Sequence, residues 1–102
     1  MKAIYIRVST KEQNIDRQVQ EGVNAYIDKI SGSVPFAERP SAKKLLKAIK
    51  KGIVTEVEVN SIDRLGRSTL DIMQTIQDLT NKGVNVISKK EGLQTIIDGK
   101  EN

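Results

Sequence analysis

Two short polar clusters in the chain contain residue types that could together bind and attack a phosphate group. The first has Arg7 two residues before Ser9, at the end of an apolar run. The second contains Asp63, Arg64 and Arg67. Guanidinium groups stay charged and donate from a planar fork that matches phosphate oxygens. A serine hydroxyl beside three such groups predicts nucleophilic displacement at phosphorus, with the arginines stabilising the charge on the non-bridging oxygens.

The strands that precede these clusters must be neighbours for the clusters to meet. Ala3 to Val8 is almost continuously apolar, which is typical of a strand covered on both faces. Ile53 to Val59 predicts another strand, which leads to the cluster around Asp63. Sites in open α/β sheets gather outside the carboxyl ends of strands, so adjacent strands would bring both clusters to one crevice.

Two amphipathic helices are predicted beside these strands. Ser41 can cap the first, which ends at Gly52 and has its apolar stripe at Ala42, Leu45, Leu46 and Ile49. Ser68 and Asp71 have the spacing of a capping box at the start of the second. Gly83 ends that helix, and its apolar positions are Leu70, Ile72, Met73, Ile76 and Leu79.

The other segments have weaker patterns. Capping-box spacing at Ser9 and Glu12, or at Thr10 and Gln13, predicts a first helix with apolar positions at Ile15, Val19, Val23, Tyr26 and Ile27. Residues 28–40 predict a surface loop, with a short strand around 27–30. Residues 84–88 predict a buried strand, 93–97 a weaker one, and 98–102 a frayed polar end. Alternating strands and helices predict a single α/β domain with a largely parallel sheet.

Composition narrows the chemistry further. The 102 residues include neither histidine nor cysteine, which excludes Ser-His-Asp and Cys-His catalysis, imidazole-bound metals, thiolate zinc sites and disulfides. A net charge of +4 suits an anionic partner. No apolar run reaches the ~20 residues of a membrane span, and no signal peptide pattern is present. We therefore expect a cytoplasmic protein without a membrane partner.

Simpler interpretations of the same residues stay open. A serine between a strand and a helix is more often an N-cap than a nucleophile, and Arg64 and Arg67 are commonly solvated or paired with a neighbour such as Asp63. The alternative is a non-enzymatic α/β anion-binding or regulatory module in which Ser9 only caps a helix. A small-molecule phosphotransferase ranks last, because the chain has no Walker-type glycine loop.

Five ordered motifs resemble a known family, the serine recombinases of the resolvase/invertase group. The matching residues are Tyr5-Ile6-Arg7-Val8-Ser9-Thr10, Gln18, Ser31-Gly32-Ser33, Arg39-Pro40 and Asp63-Arg64-Leu65-Gly66-Arg67-Ser68. They extend over nearly the whole chain. Each motif alone is weak, but their order and spacing together resemble the catalytic domain of that family.

The resemblance implies that Ser9 attacks a phosphodiester of double-stranded DNA, giving a covalent 5′-phosphoserine link and a free 3′-hydroxyl. Religation after strand exchange would follow without a metal, a nucleotide or any other cofactor. By the same resemblance, the scissile phosphate is held by Arg7, Arg64 and Arg67. Arg39 assists from a mobile loop, and Asp63 transfers a proton or orients an arginine. Gln18 and Ser31 match further polar positions of the family's site.

For the fold, the resemblance implies a three-layer α/β sandwich with a mixed, mostly parallel sheet of five strands in the order 2-1-3-4-5, the last strand antiparallel. The segment between Gln18 and Ser31 is shorter than is typical, so we expect a trimmed first helix and second strand and a different position for Arg39. The chain stops before the long dimerisation helix and the DNA-binding domain of such proteins. Residues 1–102 are thus expected to be a catalytic fragment of a recombinase that acts as a homodimer or tetramer.

Overall fold

The computed structural model describes residues 1–9, 24–97 and 100–101. The first predicted helix and Gln18 lie outside these ranges. The strands and helices used below are β1 (Lys2–Val8), β2 (Asn24–Lys29), α1 (Pro40–Lys50), β3 (Glu56–Val59), α2 (Thr69–Asn81), β4 (Asn85–Ser88), β5 (Leu93–Gln94), β6 (Ile96–Ile97) and β7 (Lys100–Glu101). Short 3-10 helices are also present at Phe36–Glu38 and Ile62–Leu65.

Five of the strands form one mixed sheet in the order β2-β1-β3-β4-β5. β1 pairs in parallel with β2 and with β3, and β3 pairs in parallel with β4. β5 runs antiparallel to β4. The predicted strand order and antiparallel last strand are confirmed. Because β1 and β3 are adjacent and parallel, their carboxyl ends bring both polar clusters to the same end of the sheet.

The two faces of β1 belong to different hydrophobic clusters because side chains alternate along a strand. Ala3 and Tyr5 belong to the larger cluster, in which α1 and α2 cover one face of the sheet with residues such as Leu45 and Leu79. The smaller cluster on the other face consists of Ile4, Ile6 and Val8, with Ile27 packed against it. Arg7 follows the same alternation as Ala3 and Tyr5, so it lies on the face that carries α1 and α2.

The start of α1 differs from the sequence prediction. The helix begins at Pro40, with Arg39 as its N-cap residue. Ser41 does not cap it, because its hydroxyl donates to the carbonyl of Ile27 at 2.6 Å. Instead the Asp28 carboxylate accepts from the backbone N–H groups of Ser41 at 2.8 Å and of the next residue at 3.0 Å. The cap therefore comes from β2, from a residue distant in the sequence.

The buried side of α2 is also rotated relative to the predicted stripe. Ser68 is the N-cap, as predicted, but Leu70 and Met73 are 78% and 64% exposed. Thr75 and Thr80 are buried in their place. Each of these hydroxyls donates to a carbonyl of the preceding helical turn, at 2.8 and 2.7 Å. A threonine satisfied in this way can be buried without leaving its hydroxyl unpaired.

Several other strands and loops have bounds that differ from the predicted ones. Tyr26 is expected on a helix, and Ile27 on that helix or on the short strand at 27–30. Both belong to β2, which extends over six residues because β1 offers backbone partners along that length. The predicted loop 28–40 contains the end of β2 and a 3-10 helix. The predicted strand from Ile53 is regular only from Glu56. The end expected to fray contains β7, which pairs with β6. No helix within the described ranges is long and apolar enough to cross a membrane.

Candidate functional site

The carboxyl ends of β1 and β3 form the centre of the candidate site. β1 ends at Val8, and the half-buried Ser9 follows it directly. β3 ends at Val59, and the 3-10 helix Ile62–Leu65, here called the 62–65 helix, follows it. That helix contains Asp63 and Arg64, so the topology places both predicted polar clusters at one edge of the sheet.

The Arg7 guanidinium is anchored between the ends of neighbouring strands. Its Nη1 donates to the carbonyl of Ile30, just after β2, at 3.0 Å. Gly32 lies against it, because a Cβ built on that glycine would be 3.5 Å from the Arg7 Cζ. Burial lowers the pKa of Arg7, and the nearby positive charges of Arg64 and Arg39 lower it further. The Arg7 guanidinium is therefore close enough to those of Arg64 and Arg39 to be repelled by both.

Arg39 is completely buried, with 0% of its surface exposed. Its Nε donates to the Val34 carbonyl at 3.0 Å, and its Nη1 donates to the Arg64 carbonyl at 2.6 Å and to the Tyr5 hydroxyl at 3.3 Å. Its Cζ also lies 5.9 Å from the centre of the Phe36 ring. Arg39 is thus the N-cap residue of α1, and its side chain bonds to three separate parts of the chain.

Tyr5 and Asp28 support Arg39 from inside the domain. The Tyr5 hydroxyl accepts from Arg39 and donates to the Asp28 Oδ2 at 2.9 Å. Burial of the ring raises the pKa of Tyr5, so its hydroxyl stays protonated and can remain a donor. Asp28 also caps α1, so one carboxylate fixes both the start of that helix and the tyrosine. Sequence reasoning missed Asp28, because nothing local indicates that a charged residue at the start of a predicted surface loop is buried.

Asp63 is exposed and is held by its neighbour Ser61. The Ser61 hydroxyl donates to the Asp63 carboxylate. That hydrogen bond lowers the pKa of Asp63, and the positive charges of Arg64, Lys90 and Arg7 lower it further. Asp63 is therefore ionised at neutral pH and lies within the field of at least two of the site's arginines.

Three guanidinium nitrogens at this edge lack hydrogen-bond partners among the described residues. They are the Nε of Arg7, the Nη2 of Arg39 and the Nε of Arg64, and all three are buried. A buried donor attached to a charged group is costly to leave unpaired. Close positive groups with unused donors are the arrangement that an anion would complete, and oxygens of a phosphate would suit these donors.

The remaining predicted residues are less closely gathered. Arg67 is exposed, its backbone N–H donates to Asp71 at 2.9 Å, and its charge is not among those that lower the pKa of Arg7. Ser31 is exposed, and its hydroxyl shares a 2.8 Å hydrogen bond with that of Ser33. The structure therefore brings together Arg7, Arg39 and Arg64, with Asp63 beside them.

Gly66 fixes how the 62–65 helix meets α2. A Cβ at this position would lie 2.7 Å from the Ile72 backbone nitrogen and 2.8 Å from an Asp71 carboxylate oxygen. Real Cβ atoms do not approach a backbone that closely, so only glycine fits here. The glycine of the Asp-Arg-Leu-Gly-Arg motif therefore has a packing reason that sequence reasoning did not identify.

Comparison with known proteins gives the family. A family model described as the resolvase N-terminal domain matches residues 2–101. The chain belongs to the resolvase family. The resemblance recognised in the sequence is thereby confirmed for almost the whole length of this resolvase-family chain.

Related proteins in the family include resolvases and invertases. The transposon Tn501 resolvase of Pseudomonas aeruginosa is 37% identical over 91 residues, covering 87% of this chain and 47% of that protein. The DNA-invertase hin of Salmonella typhimurium is 38% identical over 96 residues, covering 89% of this chain and 48% of that protein. This resolvase-family chain thus spans about half the length of the curated relatives it matches.

Solved structures agree with the fold. The N-terminal catalytic domain of TP901-1 integrase superposes with a TM-score of 0.75 at 30% identity, covering 92% of this chain and 80% of that one. The C-terminal catalytic domain of ISC1926 TnpA, an IS607-like serine recombinase, has a TM-score of 0.67 at 24% identity, covering 86% of this chain and 70% of that one. The second comparison concerns the fold alone.

Proposed function

We propose that this chain is the catalytic domain of a site-specific DNA recombinase and that Ser9 is its nucleophile. In the proposed step, the Ser9 Oγ forms a bond to a phosphorus atom of the DNA backbone and the bond from phosphorus to the 3′-oxygen breaks. The serine proton is released to solvent or to a nearby base, and the 3′-oxygen leaves as a hydroxyl. The 5′-phosphoserine bond conserves the phosphodiester energy, so the reverse attack by a 3′-hydroxyl rejoins the strand.

The unused guanidinium nitrogens are the observation that carries this proposal. Arg7, Arg39 and Arg64 each have a buried nitrogen without a hydrogen-bond partner among the described residues. In the proposed complex, a DNA phosphate oxygen accepts from these groups. Their positive charge then stabilises the extra negative charge of the transition state. The mutual repulsion of the arginines is relieved at the same time.

The other site residues take supporting roles in this proposal. The pKa of Asp63 is lowered by the Ser61 hydroxyl and by nearby arginines, which makes it a poor proton acceptor. We therefore favour an orienting role for Asp63 over proton transfer. Arg67, which is exposed, reaches the phosphate when DNA binds. Ser31 and Gln18 contribute further polar contacts to the DNA backbone.

DNA is the proposed partner, and the active unit is a homodimer or tetramer of the full-length protein. Exchange of two duplexes requires four strand breaks, and each chain supplies one Ser9. We propose that residues 1–102 act as the catalytic part of a longer recombinase in the cytoplasm, where its DNA substrate lies. The proportion of the relatives that the chain matches, about half, supports this proposal.

The non-enzymatic alternative requires the arginines to point apart and to pair with carboxylates. The hydrogen bonds described above for Arg7 and Arg39 go to carbonyl groups and to the Tyr5 hydroxyl. Within the described part of the chain, the ion pairs join Glu58 to Lys2 at 2.7 Å and to Lys89 at 3.2 Å. These contacts favour the recombinase proposal over a module whose arginines only stabilise the fold.

Trapping the covalent adduct tests the proposal without knowledge of the DNA site. The natural full-length protein is incubated with fragmented genomic DNA of its source, denatured with detergent, and assayed for DNA that stays attached to protein. We expect adducts with the natural protein and none with Ser9→Ala. The substitution Thr55→Ala, at an exposed hydroxyl just before β3 and so at the opposite end of that strand from the site, is the control and should leave adduct formation intact. Adducts of equal yield with Ser9→Ala would exclude Ser9 as the nucleophile.

A further inference from the structure

The 62–65 helix is fixed at both ends by side chains that are distant in the sequence. At its carboxyl end, the carbonyl of Arg64 accepts from Arg39 at 2.6 Å. At its amino end, the backbone N–H of Ile62 donates to the Glu91 Oε1 at 3.1 Å. A single turn of 3-10 helix has little intrinsic stability, so its position depends on such contacts.

The serine that begins this helix does not cap it. Ser61 is the N-cap residue, but its side chain makes no cap hydrogen bond. Its hydroxyl donates to Asp63 instead. The first backbone N–H of the helix therefore has its acceptor in Glu91, a residue of the turn after β4. Glu91 thus fixes the start of the helix, and Ser61 separately orients the Asp63 carboxylate.

Glu91 is itself well placed to act as a fixed acceptor. The same carboxylate oxygen that accepts from Ile62 also accepts from the hydroxyl of Ser88, which is 1% exposed. The Lys89 N–H donates to the Val59 carbonyl at 3.1 Å, and the Lys90 N–H donates to the Asn60 carbonyl at 2.8 Å. These bonds extend the pairing of β3 and β4 beyond the strand ends.

We propose that Glu91 is a positioning residue for the phosphate site, holding the 62–65 helix so that Arg64 faces Arg7 across the strand ends. This inference rests on the proposed function, because it assigns Glu91 to the site that would bind the scissile phosphate. Glu91 touches neither DNA nor the reacting atoms in this proposal. Its effect passes through the backbone of Ile62.

The competing explanation is that Glu91 only stabilises its own turn. In that case its removal lowers the stability of the protein and leaves the folded site unchanged. Glu91→Ala removes the acceptor, whereas Glu91→Gln keeps an oxygen that can accept from both Ile62 and Ser88. Asp78→Ala is the matched control, since it removes an acidic side chain from the exposed face of α2. Among the hydrogen bonds described, the Asp78 carboxylate accepts only from the exposed Gln74.

The test uses the natural full-length protein and two readouts. The first is the rate of covalent adduct formation at saturating DNA, measured below the unfolding temperature of every variant. We expect Glu91→Ala to lower this rate about tenfold, with little change in the DNA concentration that gives half-maximal rate. Glu91→Gln should stay within about threefold of the natural protein, and Asp78→Ala should match it. A tenfold change corresponds to about 1.4 kcal/mol in the barrier.

The second readout does not require catalysis. Inorganic phosphate is titrated into nitrogen-15-labelled protein while the Nε–H resonances of Arg7 and Arg64 are recorded. We expect phosphate to shift both resonances in the natural protein and in Glu91→Gln, and to shift that of Arg64 much less in Glu91→Ala.

Three outcomes would overturn the inference about Glu91. They are a natural rate in Glu91→Ala, an unchanged phosphate response of Arg64 in that variant, or a Glu91→Gln rate as low as that of Glu91→Ala. Adducts that persist in Ser9→Ala would instead overturn the proposed nucleophile. The phosphate titration still tests Glu91 in that event, so the two failures can be told apart.

Discussion

The Nη1 of Arg39 lies 2.6 Å from the backbone oxygen of Arg64, so the N-cap residue of α1 is bonded directly to the residue that carries a site guanidinium. The same Nη1 reaches the Tyr5 hydroxyl in β1. Arg39 therefore links three parts of the chain that converge at the candidate site. Its contribution to the fold and its proposed contribution to phosphate binding come from different nitrogens of one group.

Arg39→Lys should destabilise the protein although it keeps the positive charge. A lysine has a single ammonium group and cannot reproduce the fork that reaches Val34, Tyr5 and Arg64 together. We expect the free energy of unfolding to fall by about 2 kcal/mol, the scale of buried hydrogen bonds to a charged group. Urea unfolding at pH 7 measures this. The reverse exchange Lys43→Arg, at an exposed position of α1, is the control, and equal stability of the two variants would contradict the expectation.

Tyr5→Phe tests the buried link between Arg39 and Asp28. It leaves the ring in place and removes the hydroxyl that bonds to both. We expect a loss of about 1–3 kcal/mol in unfolding free energy, because buried polar groups lose a partner. Tyr26→Phe is the matched control. Tyr26 lies in β2, and its hydroxyl makes no hydrogen bond to another residue within the described ranges. Losses of the same size in both variants would show that the Tyr5 hydrogen bonds contribute nothing specific.

Gly66→Ala should be far more disruptive than Gly32→Ala. A Cβ at Gly66 would lie 2.7 Å from the backbone nitrogen of Ile72, whereas one at Gly32 would be 3.5 Å from the Arg7 Cζ, an ordinary contact. We expect Gly66→Ala to cost about 1–3 kcal/mol, as overpacked positions do, and Gly32→Ala to cost less than about 1 kcal/mol. Thermal unfolding compares the two. A Gly66→Ala protein as stable as the natural one would show that α2 can move aside freely.

The ion pairs of Glu58 should make stability depend on pH. Burial alone would raise the pKa of Glu58, but hydrogen bonds and charge from Lys2 and Lys89 outweigh burial and lower it. A carboxyl whose pKa is lower in the folded state stabilises the fold fully above the unfolded pKa of about 4.3. That contribution is lost as the pH falls through the lower folded value.

Unfolding measured in urea at a series of pH values checks this prediction. In the natural protein, the free energy of unfolding should decrease as the pH falls from above about 4.3 toward the folded pKa of Glu58. Glu58→Gln should have a smaller decrease across the same range, because the glutamine cannot gain a proton there. Identical pH dependence in the two proteins would show that the ion pairs of Glu58 do not contribute through this linkage.

Features governed by residues close in sequence could be predicted. The spacing of Ser68 and Asp71 predicted a helix start, and the Ser68 hydroxyl accepts from the Asp71 N–H at 3.2 Å. Gly52 and Gly83, predicted as helix ends, have φ angles of +78° and +79°, in the left-handed region that favours glycine. The strand order followed from the resemblance to the family, since no local pattern specifies which strands are neighbours.

Features set by contacts between distant residues could not be predicted in this way. Asp28 caps α1 from β2, so local spacing pointed to Ser41 instead. Which side of α2 is buried depends on how the helix packs against the sheet, so counting apolar positions favoured the exposed Leu70 and Met73 over the buried Thr75. The role proposed for Glu91 also depends on a partner 29 residues away. Residue types at the site were recognisable, but their support was not.

The central claim is that Ser9 forms a covalent bond to the 5′-phosphate of broken DNA, and peptide mapping of the trapped adduct tests it most directly. Nuclease digestion of the adduct, followed by trypsin, should release the peptide Val8-Ser9-Thr10-Lys11, since cleavage occurs after Arg7 and Lys11. Fragmentation in the mass spectrometer then distinguishes Ser9 from Thr10. We expect the mass of a 5′-phosphorylated nucleotide residue on Ser9. The same mass on Thr10 or on another peptide, with Ser9 unmodified, would contradict the proposed mechanism.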